Sequence, residues 1–172
     1  MTKATGPLYK VRFRRRKEGK TDYSRRLGLL KSGIPRLVVR KTNKFVVVQV
    51  TQAGEKGDLT VATVTTKKLA DFGFAGKSNT PSAYLAGLLC GLQAKGKGVK
   101  GVILDVGLQS ASKGSLLYAA LKGAIDAGLE GSIGGDKAPS QDRLEGKHLK
   151  NASDFSAAKQ KILASDGKTK EK

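Results

Sequence analysis

Between Tyr9 and Arg26 the chain reads YKVRFRRRKEGKTDYSRR, and this stretch offers the most distinctive chemistry in the sequence. Its cations are Lys10, Arg12, Arg14, Arg15, Arg16, Lys17, Lys20, Arg25 and Arg26, set against only Glu18 and Asp22. So many like charges cannot be packed into a core, because each would shed its water and repel the next. The segment is therefore expected to be extended and mobile until a polyanion neutralises it. Tyr9, Phe13 and Tyr23 are threaded among the cations. Rings and guanidinium planes together suit a ligand that presents both phosphates and flat base faces, as folded RNA does. A membrane-binding segment would need a continuous apolar face, and there is none here.

Other patterns suggest catalysis and fail on context. Gly96 to Gly101 spells G-x-G-x-x-G, but a dinucleotide site needs that motif to leave a strand and open a helix. Here it follows a helix and precedes a strand. Gly76-Lys77-Ser78 precedes a capped helix like a phosphate loop, yet Asp71 stands where that loop needs its first glycine. Lys77 is better suited to meeting an RNA phosphate. His148, the only histidine, has no second metal ligand at useful spacing and reads as a surface side chain. Cys90 lies in an apolar helix and reads as a small buried hydrophobe. Asp105, ending an apolar strand, is where a metal-dependent nuclease would begin, but such enzymes need converging carboxylates. Asp126, Glu130, Asp142 and Glu145 form no evident cluster with it. No catalytic residue, metal ligand, cofactor or small-molecule substrate is assigned.

The elements that must hold the cationic stretch follow it. Thr21 or Asp22 caps a helix whose stripe Tyr23, Leu27 and Leu30 is expected to fasten the arm to the body, with Gly33 and Pro35 as stops. Runs 36–41, 44–52 and 58–66 predict a three-stranded antiparallel meander, turned at Thr42-Asn43 and at 53–57. Along the second run Val46, Val48 and Val50 face one way, and Phe45, Val47, Gln49 and Thr51 the other. Arg36, Arg40, Lys41 and Lys44 extend the positive surface onto this sheet. Residues 67–79 read as a loop. Asn79-Thr80-Pro81 then starts a helix with Leu88 among its core residues. Its Ala83, Gly87 and Gly91 strip invites close helix packing. Residues 102–106 suggest an interior strand, 113–128 a helix ended by Gly128, and 141–146 a short segment capped by Ser140. Residues 154–164 suggest a weak surface helix, and 165–172 a polar tail. This order predicts an α/β fold with a layered mixed sheet: a three-stranded antiparallel meander, then helix–strand–helix. The division is a basic extension over 1–20, an α/β domain over 21–150 and a C-terminal helix and tail over 151–172.

Bulk composition agrees. The 172 residues carry 33 Lys and Arg against 14 Asp and Glu, a net charge of +19. Residues 1–44 hold fifteen of those cations and two of the acids, so a basic end is joined to a more ordinary body, the footprint of a nucleic-acid binder. That length suffices for one domain burying about two-thirds of its unfolded surface. One cysteine forms no internal disulfide and fits a reducing compartment. With no apolar signal core and no apolar run of eighteen, the expectation is a soluble, cytoplasmic protein.

Four segments carry a family resemblance: 9–43 (YKVRFRRRKEGKTDYSRRLGLLKSGIPRLVVRKTN), 79–89 (NTPSAYLAGLL), 103–129 (ILDVGLQSASKGSLLYAALKGAIDAGL) and 139–149 (PSQDRLEGKHL). Together they resemble the archaeal and eukaryotic branch of the L-eighteen family of large-subunit ribosomal proteins, which bind 5S ribosomal RNA. The resemblance implies a ribonuclease-H-like layering without nuclease activity. It also implies a basic extension wedged among 5S and large-subunit ribosomal RNA, and a place in the central protuberance near the L-five ribosomal protein. Carried over by position, it adds Asn43, Ser78, Asn79 and Lys113 to the RNA-facing residues already named, with Lys77. After Gly107-Leu108 the family commonly has an Arg-Pro loop, where this chain has Gln109-Ser110-Ala111-Ser112. The alternatives weighed against this reading are a metal-dependent nuclease and a nonspecific basic RNA chaperone.

Overall fold

The computed structural model describes residues 6–55, 57–149 and 155–165. Its frame is a four-stranded sheet in the order β3-β2-β1-β4, comprising β1 (Arg36–Lys41), β2 (Val46–Gly54), β3 (Gly57–Thr65) and β4 (Ile103–Asp105). The first three strands form the expected antiparallel meander, with Val39 opposite Val48 and Val48 opposite Val64. β4 pairs parallel to β1, aligning Val38 with Asp105. The tight loop at 42–45 is closed by the Thr42 N–H donating to Phe45 O at 2.9 Å and the Phe45 N–H donating to Thr42 Oγ1 at 3.0 Å.

Period-two alternation divides the sheet's two faces. Leu37, Val39, Val46, Val48, Val50, Ala62 and Val64 are buried on one of them. Over these packs α3 (Thr80–Gly96), started as expected by the Asn79 side chain accepting from the Ser82 N–H and by Pro81 in the first turn. α3 is buried on nearly every side, because the sheet, α4 (Leu116–Asp126), α5 (Gln141–Glu145) and α6 (Phe155–Ala164) all pack on it. The glycines explain how α4 comes so near. A Cβ on Gly87 would sit 2.0 Å from Ala120 O, and one on Gly123 would sit 2.1 Å from Tyr84 O. The helices touch backbone to backbone, which offsets the cost of about 1 kcal/mol that each helical glycine carries relative to alanine.

Several expectations need correction. β4 is an edge strand with half-exposed Ile103 and Leu104 rather than an interior one; a short apolar run does not distinguish the two. Just before it in the chain, Gly101 makes an isolated parallel bridge with Glu130. Thr66–Phe72 is a 3-10 helix, not loop, with Leu69 in the core. α4 begins at Leu116, leaving Lys113 and Gly114 in a turn. The C-terminal helix is not merely superficial: Phe155, Ala158 and Ile162 are buried, and the Phe155 ring lies 5.7 Å from that of Tyr84. The expected tail at 166–172 lies outside the described residues.

The basic stretch also departs from a wholly extended form. It holds a single helical turn, α1 (Arg14–Lys17), then α2 (Tyr23–Lys31), which Asp22 caps by accepting from the Ser24 and Arg25 N–H groups. The apolar stripe of α2 does not bury: Leu27 is 55 % exposed and no α2 residue is fully buried. Polar contacts fasten this helix instead.

Candidate nucleic-acid interface

Residues 6–20 are exposed throughout, so Tyr9, Lys10, Arg12, Phe13, Arg14, Arg15, Arg16, Lys17 and Lys20 all stand at the surface. Local contacts shape the segment without covering it. The Phe13 and Tyr23 rings lie 5.1 Å apart and tilted, and Arg15 Nε donates to Thr21 Oγ1 at 2.8 Å. Glu18, the one acid among these cations, meets Lys20 Nζ at 3.0 Å. Exposed ion pairs of this kind contribute little, and they leave the surface strongly positive.

Where the arm meets the body, arginines and aspartates alternate. Arg25 Nη1 donates to Gly107 O at 2.8 Å, and Arg26 Nη2 donates to Asp58 Oδ2 at 2.8 Å. The same Asp58 oxygen lies 2.6 Å from Arg36 Nη2, while Arg36 Nη1 reaches Asp105 Oδ2 at 2.8 Å. Arg40 closes the chain, its Nη2 on Asp105 Oδ1 at 3.0 Å and its Nη1 on Asp105 O at 2.7 Å. The Gly107 N–H donates to Asp105 Oδ1 at 2.9 Å. Gly107 has φ +62, and a Cβ there would come within 3.0 Å of the Arg40 guanidinium. Burial opposes the charge on Asp105, but the Arg40 hydrogen bond and charge, the Gly107 N–H and Arg36 together hold its carboxyl below the ordinary value.

This network bears on two of the residues singled out in the sequence. Arg36 is 3 % exposed and belongs to the interior rather than to the positive surface. Its grouping with Arg40, Lys41 and Lys44 suggested exposure; Asp58 and Asp105, which pair with it, are distant in sequence. Asp105 has both carboxylate oxygens engaged by arginines, so it does not present the free carboxylate that a nuclease metal would need. Among the described residues no three His, Cys, Asp or Glu side chains are grouped to hold a metal ion.

The remaining predicted residues fall into two places. Ser78 Oγ donates to Thr42 O at 2.9 Å and Gln109 Nε2 to Lys41 O at 3.2 Å. The loops carrying Lys41, Asn43 and Lys44, Lys77, and Gln109 therefore share one rim. Ser78 and Asn79 are half-buried, and Asn79 Oδ1 is engaged in capping α3. Lys113 lies elsewhere, with Nζ 3.3 Å from Asp136 and its neighbour Gly114 donating to Lys137 O. The exposed His148 and the buried Cys90 are as their sequence contexts suggested.

Between the arm and the sheet's open face runs a cleft of about 480 Å³, lined by α2, β1, β2 and the 105–109 segment. Gln49, Thr51, Thr60 and Asp58 line it and were not among the sequence candidates. The alternation of β2 did place Gln49 and Thr51 opposite the core valines, which was the available signal.

Residues 8–98 match the family described as ribosomal large subunit proteins 60S L5 and 50S L18. Three similar chains are each named large ribosomal subunit protein uL18. That of Methanoregula boonei is 48 % identical over 147 residues, covering 85 % of this chain and 84 % of the relative. That of Caldivirga maquilingensis is 50 % identical over 148 residues, covering 85 % and 72 %. That of Methanococcoides burtonii is 43 % identical over 169 residues, covering 94 % and 98 %.

Proposed function

This chain belongs to the large-subunit ribosomal protein family that comprises 60S L5 and 50S L18, and from that membership we propose that it binds 5S ribosomal RNA. It is a structural constituent of the large ribosomal subunit in the cytoplasm, a partner of ribosomal RNA and of neighbouring ribosomal proteins, and not an enzyme. The finer reading is that it helps attach 5S RNA to large-subunit RNA in the central protuberance, beside the L-five protein. Residues 1–20 act as the RNA-binding extension of the α/β body.

The observation that carries this reading is the density of exposed cations from Lys10 to Lys20, with Phe13 and Tyr23 paired beside them. Each phosphate that a cation neutralises releases counterions, and the rings stack on or wedge against bases. The work is positional, with RNA and arm ordering each other. If roughly six phosphates are engaged, log K falls against log salt with a slope on the order of −4 to −5.

A competition among 5S RNA, an unrelated structured RNA and duplex DNA tests the proposal. Preference for 5S RNA is the expected result. Equal binding to all three would leave a general basic chaperone as the better description, and metal-dependent turnover of the RNA would reverse the assignment.

A further inference from the structure

The cleft between the arm and the sheet has two chemically different sides. Arg15, Lys20, Arg25 and Arg26 contribute a cationic side from the arm and α2. Facing them, Val38, Gln49, Thr51 and Thr60 contribute apolar surface and hydrogen-bonding groups, while the lining carboxylates Asp58 and Asp105 are each paired with arginines. A phosphate uses only the first side. A continuous duplex presents stacked bases that cannot enter. One nucleotide turned out of its stack offers a match for both: an anionic phosphate, a flat face and an edge of donors and acceptors.

Two details support a built site. Gln49 commits one amide N–H to Thr63 Oγ1 at 3.2 Å, which leaves its other N–H and its carbonyl oxygen side by side for a base edge. Arg36, 3 % exposed, forms part of the lining and is held rigidly between Asp58 and Asp105. The volume of about 480 Å³ lies within the roughly 300–1,000 Å³ of ordinary small-molecule sites.

We propose that this cleft holds a single unstacked nucleotide of the bound RNA, its phosphate on the arm side and its base against Gln49, Thr60 and Val38. The inference rests on the RNA-binding reading above and assigns to the strands a part distinct from that of the arm.

The test is the doubly substituted full chain, Gln49→Ala with Thr60→Val, titrated with a 5S transcript over a range of salt. Its Kd should rise about five- to twentyfold at every salt, because base contacts are lost. The slope of log K against log salt should stay unchanged, because no cation is removed. Lys10→Ala, by contrast, should make that slope shallower by nearly one. Independently of any variant, a nucleoside monophosphate added to the wild-type protein should shift the NMR signals of Gln49 and Thr60, and inorganic phosphate should shift only those of the arm. Normal wild-type binding to the transcript with an unchanged Kd for the double variant would overturn the proposal. So would identical shifts from nucleotide and phosphate. A wild-type chain that ignores the transcript would overturn the RNA reading itself, and this inference with it.

Discussion

Arg36 and Asp105, sixty-nine positions apart in sequence, meet in the interior at 2.8 Å between Nη1 and Oδ2. The pair joins β1 to β4 by side chains as well as by the parallel ladder, and through Asp58 it reaches the helix that carries the arm. Removing Asp105 takes one of two carboxylates from the buried Arg36, leaving it to Asp58 alone, and takes its carboxylate from Arg40. Asp105→Ala should therefore cost about 3–5 kcal/mol, read as a lower urea midpoint with an unchanged slope. A loss below about 1 kcal/mol would show that Asp58 alone suffices for Arg36.

The same contacts give a pH dependence of known sign. The folded Asp105 carboxyl lies below its ordinary 3.8, so it binds its proton less readily folded than unfolded. Its contribution to stability is present above that ordinary value and is lost as pH falls through the lower folded value. An Asp105→Asn chain should be less stable near neutrality and should lose less on acidification below about pH 4. Parallel acid melts of the two chains decide this.

The contact between α3 and α4 leaves no space for a methyl group. Gly87→Ala would place its Cβ 2.0 Å from Ala120 O, and helix backbone cannot yield as a side-chain tip would. A destabilisation of about 1–3 kcal/mol or more is expected from overpacking. Leu88→Ala, in the same helix and fully buried, should cost about 2–5 kcal/mol for the opposite reason, a cavity. Thermal melts of both variants measure the two costs.

Deleting residues 1–20 should leave the body folded, since residues 6–20 are exposed and bury nothing in the core. The melting temperature should hardly move, while affinity for 5S RNA should fall at least about tenfold and its salt slope should flatten. Loss of cooperative unfolding on this truncation would show that the arm is part of the core.

Cys90 should be inert in the native protein. It is fully buried beside Val48 O, and burial pushes its thiol up to about 12, so almost no thiolate exists near neutral pH. A thiol reagent should label it only as fast as the chain unfolds. Rapid labelling under native conditions would reveal local opening of α3.

How far the sequence discloses this molecule depends on the range of the interaction concerned. The β1–β3 meander and the start of α3 rest on local signals, alternating valines and an Asn79-Thr80-Pro81 cap, and they form where those signals lie. The α2 stripe misleads because Tyr23, Leu27 and Leu30 have the spacing of a buried face, yet none of them is fully buried. Arg25 and Arg26 hold that helix through Gly107 and Asp58, distant partners that no periodicity announces. Arg36 reads as a surface cation for the same reason: its two carboxylates arrive from β3 and β4. The α6 segment looks superficial because only Phe155, Ala158 and Ile162 turn inward, too sparse a pattern for a strong amphipathic signal. The cationic stretch is legible because its chemistry lies in composition, which needs no fold to be seen.

Asp58 accepts from Arg26 on one side and lies against Arg36 on the other. The mount of the cationic arm is thus electrostatically wired to the centre of the sheet. Any anion that drew Arg26 away would leave Asp58 to Arg36 alone, so binding at the arm would be felt as a redistribution of charge inside the body.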